Sequence, residues 1–302
     1  VEAAVETTFS GTALLFNLPA VGWKAIAADE MFIGYTLQIP PLKKQIFKDK
    51  NRLEWFARWL DHPNHAISKD AYAEFALAPF QEVRDSAHAF SPAEVIDHLR
   101  DLSLQQQRRG FYGMVAGVLA RQSPKESQTA CINALIREIT EHQSNDFQAG
   151  LDGIMAGLFI ALGEQALPVL KRQGLFENTA SPVDQRHLLQ ALRFCWEYPS
   201  DTIPRTEVIL ITRKLLPVPH LTREVIVDLS RYQDWNFRNQ IVAMWDTLGG
   251  EDPLIRPAIV GYLLACPSEK SASLLALLRE KNIELFEKVQ QAAAIPFPAA
   301  AP

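Results

Sequence analysis

The residue types able to do chemistry gather most densely between Asp61 and Glu74, where Asp61, His62, His65, Asp70 and Glu74 all belong to the metal-ligating set. A catalytic zinc site holds three such ligands in a defined geometry, and the H-E-x-x-H spacing is absent here. His62 and His65 flank Pro63 in a turn, while Asp70 and Glu74 share a helix face at i, i+4. Helix capping and surface ion pairing account for these residues, so no metal or other cofactor is expected. A second dense stretch holds Asp228, Arg231, Asp234, Trp235 and Arg238. The spacing pairs Asp228 with Arg231 and Asp234 with Arg238 as a solvated network at a turn. Trp and Arg are also the residues that anchor protein interfaces, which makes Arg231, Asp234, Trp235 and Arg238 candidate partner contacts. Trp55 and Trp59 stand at i, i+4 beside the Leu53, Phe56, Leu60 face and are two further candidates. Buried, they complete a wide core stripe; exposed, they offer a ledge for residues 1–48 or for another subunit.

Nucleophilic chemistry finds no support. G-x-S-x-G does not occur, and Cys131, Cys195 and Cys266 are widely separated with no C-x-x-C pair. The remaining histidines, His88, His98, His142, His187 and His220, are dispersed. Two glycine-bearing octapeptides are the sharpest local feature. Gly110-Phe-Tyr-Gly113-Met-Val-Ala116-Gly117 and Gly150-Leu-Asp-Gly153-Ile-Met-Ala156-Gly157 agree at every Gly and at the Ala. Phosphate cradling would need a preceding strand and a Gly-rich turn opening a helix. In apolar, helical surroundings, the reading is close helix packing at Gly110, Gly113, Gly117, Gly150, Gly153 and Gly157. Each helical Gly costs about 0.5–1 kcal/mol relative to Ala, so tight packing must offset it.

The elements that position these residues are mostly helical. Thr12 to Leu18 reads as a short strand, and Phe32 to Ile39 as a strand or the end of a helix starting near Ala28, stopped by Pro40-Pro41. From Asn51 the apolar residues follow helical spacing, as in Ile132, Leu135, Ile136 and Ile139. Ser91-Pro92-x-Glu94 and Ser181-Pro182 are helix starts. Later helices are predicted over 221–232, 236–248, 253–266, 269–279 and 281–293. About fourteen short helices in roughly seven hairpins result, with the glycine octapeptides recurring at about the 40-residue period of helical-hairpin repeats. This divides the chain into an N-terminal segment (1–48), a helical body (49–294) and an extended Pro/Ala tail from Ile295 (295–302).

The 302 residues carry 30 Lys+Arg against 35 Asp+Glu, a net charge of −5, and are 48% hydrophobic. That composition excludes wholesale disorder. With no Lys/Arg run beyond two residues, it also argues against a broad phosphate-binding surface, so no nucleic-acid partner is expected. No uninterrupted apolar run reaches the ~18 residues that cross a bilayer, the nearest being Ile154 to Leu162. No transmembrane segment is expected, and membrane association would come through a partner. Val1 in place of Met points to a trimmed chain, a removed signal sequence or a partial sequence.

Three stretches share an acid, an aliphatic and a basic residue around a helix start: Asp252-Pro-Leu-Ile255-Arg256-Pro-Ala258, Asp61 to Ala71, and Asp234-Trp-Asn-Phe237-Arg238. With the glycine repeat they resemble HEAT-like repeats, in which the acid caps the helix and the aliphatic enters the stack. The resemblance implies an all-α fold, a right-handed α-solenoid of HEAT-like helical hairpins with a short mixed N-terminal segment. Ile67 to Phe75, Gly150 to Gly157, Leu189 to Tyr198 and Asp228 to Trp235 also resemble a family of exported bacterial proteins without assigned activity. That likeness implies an exported or periplasmic location and supplies no catalytic residues. The family's signal peptide and cysteine-containing N-terminal region are not found between Val1 and Pro302. The function expected is non-catalytic: a protein–protein interaction or structural subunit that presents a helical-repeat surface to other subunits. The alternative is an enzyme on a HEAT-like scaffold, chromophore lyase-like or, against the acidic charge, DNA glycosylase-like.

Overall fold

A computed structural model of the protein describes residues 12–18, 21–40, 50–141, 150–198 and 203–293. Helix dominates these residues, as the all-α expectation requires, and the chain divides into two compact units, Val1–Ser91 and Pro92–Pro302. The division falls at Ser91-Pro92, so residues 1–48 and the first helices belong to one unit. The Ile295 tail and His142 lie outside the described residues.

In the Val1–Ser91 unit, β1 (Ala13–Leu18) and β2 (Gly22–Ala27) form an antiparallel hairpin with Leu18 opposite Gly22. Gly22 takes φ +82°, a left-handed conformation that glycine adopts without strain. The helices are α1 (Glu30–Gln38), α2 (Lys50–Ala57), α3 (His65–Leu77) and α4 (Phe80–Asp85). Phe32–Ile39, ambiguous by periodicity, is helical because Asp29 caps it: its carboxylate accepts the Phe32 N–H at 2.7 Å. Asn64 caps α3 by accepting from Ala66 and Ile67, and its Nδ2 donates to Asp29 at 2.9 Å. The capping role expected of Asp61 therefore falls to Asn64. Tyr35, Leu53, Phe56, Leu60, Ile67, Ala71 and Phe75 form the core.

The Pro92–Pro302 unit contains α5 (Pro92–Arg100), α6 (Gln106–Gln122), α7 (Lys125–Thr140), α8 (Leu151–Leu162) and α9 (Leu167–Arg172). It continues with α10 (Pro182–Glu197), α11 (Arg205–Lys214), α12 (Pro219–Arg231), α13 (Arg238–Ala243) and α14 (Leu248–Glu251), then α15 (Ile255–Ala265), α16 (Glu269–Lys281) and α17 (Ile283–Ala293). The glycine octapeptides lie on α6 and α8, which pack backbone to backbone. A Cβ added at Gly113 would lie 2.7 Å from the Ile154 backbone, and one at Gly117 would overlap the Gly157 backbone. Gly110 lies against Gly150 and Gly153: a Cβ at Gly110 would be in ordinary contact at 3.5 Å, whereas one at Gly153 would overlap the Gly110 backbone. Because the contacts advance together along both helices, α6 and α8 run parallel, with α7 returning the chain between them.

With the 3₁₀ turn Gly163–Ala166, α8 and α9 make a helical stretch, Leu151–Arg172, long and apolar enough to cross a membrane by length and composition. The count of uninterrupted apolar residues missed it, because Gly163-Glu164-Gln165 breaks the run. Much of this stretch is buried in the protein: Ile154, Met155, Leu158 and Phe159 are fully enclosed, between α6, α7 and α10. The helix expected over 236–248 is broken into a 3₁₀ turn at Trp235–Phe237, α13 and α14. The break falls at residues 244–247, where the Trp245 carbonyl is taken by Arg256 Nε at 3.2 Å and the Arg256 guanidinium also lies over the Trp245 ring.

Candidate functional site

Helix α12 has two opposite faces. Leu221, Val225, Ile226 and Leu229 are buried, and Thr222 joins them by returning its hydroxyl to the Leu216 and Val218 carbonyls. On the other side Arg223, Val227, Ser230 and Arg231 follow i, i+4, i+7, i+8. This stripe walls a groove of about 670 Å³ whose opposite side comes from the start and outer face of α15: Leu254, Pro257, Ala258 and Gly261. Ala292, near the end of α17, also lines it. Val227 and Leu254 are 44% and 57% exposed, although both are large and apolar. The floor is open because Ala258 and Gly261 are small; a Cβ at Gly261 would meet nothing within 4 Å. Two arginines and no acidic side chain line the groove among the described residues.

Beneath the groove lies a buried ionic layer. Arg213 holds Asp234 through both carboxylate oxygens, at 2.6 and 2.5 Å, and its guanidinium lies over the Phe237 ring. Tyr262, which reaches the groove from α15, donates its hydroxyl to the Asp234 carbonyl and meets Trp235 edge to face at 5.2 Å. Burial pushes the Tyr262 phenol well above its ordinary range, and the Asp234 charge adds to this. Arg193 binds Asp228 at 2.7 Å and Glu224 at 3.2 Å, both on α12 itself. Burial raises the Asp228 carboxyl above the usual range despite the Arg193 charge. A bidentate, buried arginine–carboxylate pair fixes helix positions, because breaking either partner strands a charge.

Of the residues singled out by spacing, Arg231 alone of its group lines the groove, with a side chain 58% exposed. Asp234 is 4% exposed and occupied by Arg213; Trp235 is half-buried against Tyr262. Arg238 donates to the Trp235 carbonyl at 3.0 Å. The expected pairing of Asp234 with Arg238 in a solvated network is thus replaced by a buried pairing with Arg213 across helices. Asp228 likewise takes Arg193 as its close partner, with Arg231 at 3.7 Å. Trp55 and Trp59 are half-buried and clasp Tyr35 of α1, with ring centroids 5.3 and 5.1 Å away, so the aromatic pair receives the N-terminal segment of its own unit.

The Asp61–Glu74 stretch disperses into structural roles. The Asn64 N–H donates to His62 Nδ1, Tyr35 donates to Asp70 at 2.7 Å, and Arg52 pairs with Glu74 at 2.8 Å. Among the described residues no group of three His, Cys, Asp or Glu is placed to hold a metal ion. Cys131, Cys195 and Cys266 are buried free thiols, and burial pushes Cys195 up to about 12. The residues missed by spacing are Arg223, Val227, Leu254 and Gly261. Their one sequence signal was an apolar Val227 on the polar face of α12 between two arginines. No family model, curated protein or solved structure matches this chain.

Proposed function

We propose that the protein is a non-catalytic interaction or structural subunit whose α12/α15 groove receives a segment of a partner protein. The observation that carries this reading is the groove itself: large apolar side chains at its rim, small residues on its floor, and a buried ionic layer holding its walls at fixed spacing. Grooves between helices with exposed apolar lining are used to seat partner segments, and a rigid wall lowers the ordering cost of binding. The helical body is read as a right-handed α-solenoid of HEAT-like hairpins. The parallel packing of α6 and α8 at the repeat spacing supports this, since equivalent helices of stacked hairpins lie side by side.

The reading is tested by placing a photo-crosslinking amino acid at position 227 of the full chain, in its native host. The expected outcome is a discrete protein adduct that disappears when Gly261→Phe fills the groove. Thermal unfolding of that variant should match the parent, since the added ring enters open space. Equal adducts from position 227 with and without the Gly261→Phe block would remove the groove from the function.

A further inference from the structure

We infer that the segment seated in the α12/α15 groove is a short amphipathic helix bearing two acidic residues about two turns apart. The inference rests on the docking role proposed above and adds the chemistry of the partner. Arg223 and Arg231 stand eight residues apart on one helix face, which is about 12 Å along the axis. Arg223 is exposed, and Arg231 sits 3.7 Å from an Asp228 carboxylate that Arg193 already holds at 2.7 Å. Both guanidiniums therefore retain donors for a second carboxylate. Val227 lies midway between them, and the Leu254–Gly261 wall opposite is apolar. A ligand complementary to this surface has acids at i and i+7 or i+8 along one edge, with aliphatic side chains between them directed at the floor. A helix supplies that alternation with one face, whereas an extended strand would turn alternate residues away. In a chain of net charge −5, a groove lined, among the described residues, by two arginines and no acid is a local reversal of sign, which favours acidic partners.

The test is selection of a random peptide library, about 16 residues long and displayed on phage, against the full-length protein. Enriched peptides should show Asp or Glu seven or eight residues apart with Leu, Ile, Val or Phe between them. Synthesised alone, they should become helical on binding and bind less tightly as salt is raised. Arg223→Glu, and separately the milder Arg223→Gln/Arg231→Gln pair, should weaken them roughly tenfold while unfolding temperatures stay close to the parent. Gly261→Phe should abolish binding. Enrichment of acid-free peptides that Gly261→Phe blocks but the arginine variants do not would overturn the acidic-helix inference and leave the docking role standing. Pro-Phe-Pro peptides in that set would assign the groove to the chain's own 294–302 segment and would likewise overturn the acidic helix. A dimer lost in Gly261→Phe would give the groove to a second copy, also against the inference. Failure to enrich any peptide sensitive to Gly261→Phe would count against the docking role itself.

Discussion

Single residues decide two features here, and in both the chemistry is legible while the partner is not. Gly113 and Gly157 sit where a methyl group would collide with the backbone of the opposing helix. Gly113→Ala and Gly157→Ala should each cost about 1–3 kcal/mol in urea unfolding, because overpacking outweighs the helix-propensity gain. Gly261→Ala is chemically the same change in open space, and should instead stabilise by about 0.5–1 kcal/mol. Equal signs at the two kinds of position would contradict the close α6–α8 contact. Asp234 supplies the second case. Spacing offered Arg238 as its partner, but the close cation is Arg213, 21 residues upstream. Arg213→Met should cost about 3 kcal/mol by stranding the buried Asp234 charge, and Arg213→Met/Asp234→Leu should recover much of it. A short-range pattern registers neighbours on one helix, and only helix packing brings α11 beneath the turn after α12.

At the scale of elements, a helix start is legible where its capping residues are written into the sequence. Ser181-Pro182 does open α10, with the Ser181 hydroxyl facing the Asp184 N–H. The start of α1 was ambiguous because its apolar run fits strand or helix, and the Asp29 cap resolves it. That cap is coupled to another: Asn64, which caps α3, also donates to Asp29. Asn64→Ala should destabilise by about 1–2 kcal/mol, more than an isolated cap typically contributes. The double variant with Asp29→Ala should cost less than the sum of the two single changes, read from a double-mutant cycle in denaturant. Strict additivity would mean that the Asn64–Asp29 bond carries no energy. The break between α13 and α14 was unreadable from periodicity, because Trp245 keeps the helical spacing while its carbonyl is claimed by Arg256 from α15.

Across the molecule, the buried titratable groups set how stability responds to solvent. Burial, reinforced by the nearby Arg186 charge, holds the His220 pKa below its ordinary value. The unfolded chain therefore binds this proton more readily than the folded one. His220 leaves stability unaffected above about pH 6.5 and lowers it as the pH falls below that value. His220→Gln should flatten the slope of unfolding free energy as the pH falls below about 6.5, measured by urea titration at each pH. An unchanged slope would show that other groups govern it. The three thiols make a second whole-molecule readout. Cys131 is fully enclosed, and Cys195 and Cys266 are only 5% and 6% exposed. A disulfide-exchange reagent should label none of them in native protein at short times and all three in denaturant. Immediate labelling of one would reveal a locally open region.

The amino-acid sequence by itself determined the helical character, the glycine pair, several helix starts and the absence of compact metal or nucleophile motifs, because each is written in residues a few positions apart. Apolar periodicity and glycine placement act locally, and their consequences survive without knowledge of distant neighbours. Tertiary structure alone decided the Asp234–Arg213 and Asp228–Arg193 pairs, the Tyr35 contact with Trp55 and Trp59, and the groove. Those depend on which helix lies against which. Whether a helix face is free or covered is set by its neighbour, and the neighbour of α12 is α15, more than twenty residues later in the chain.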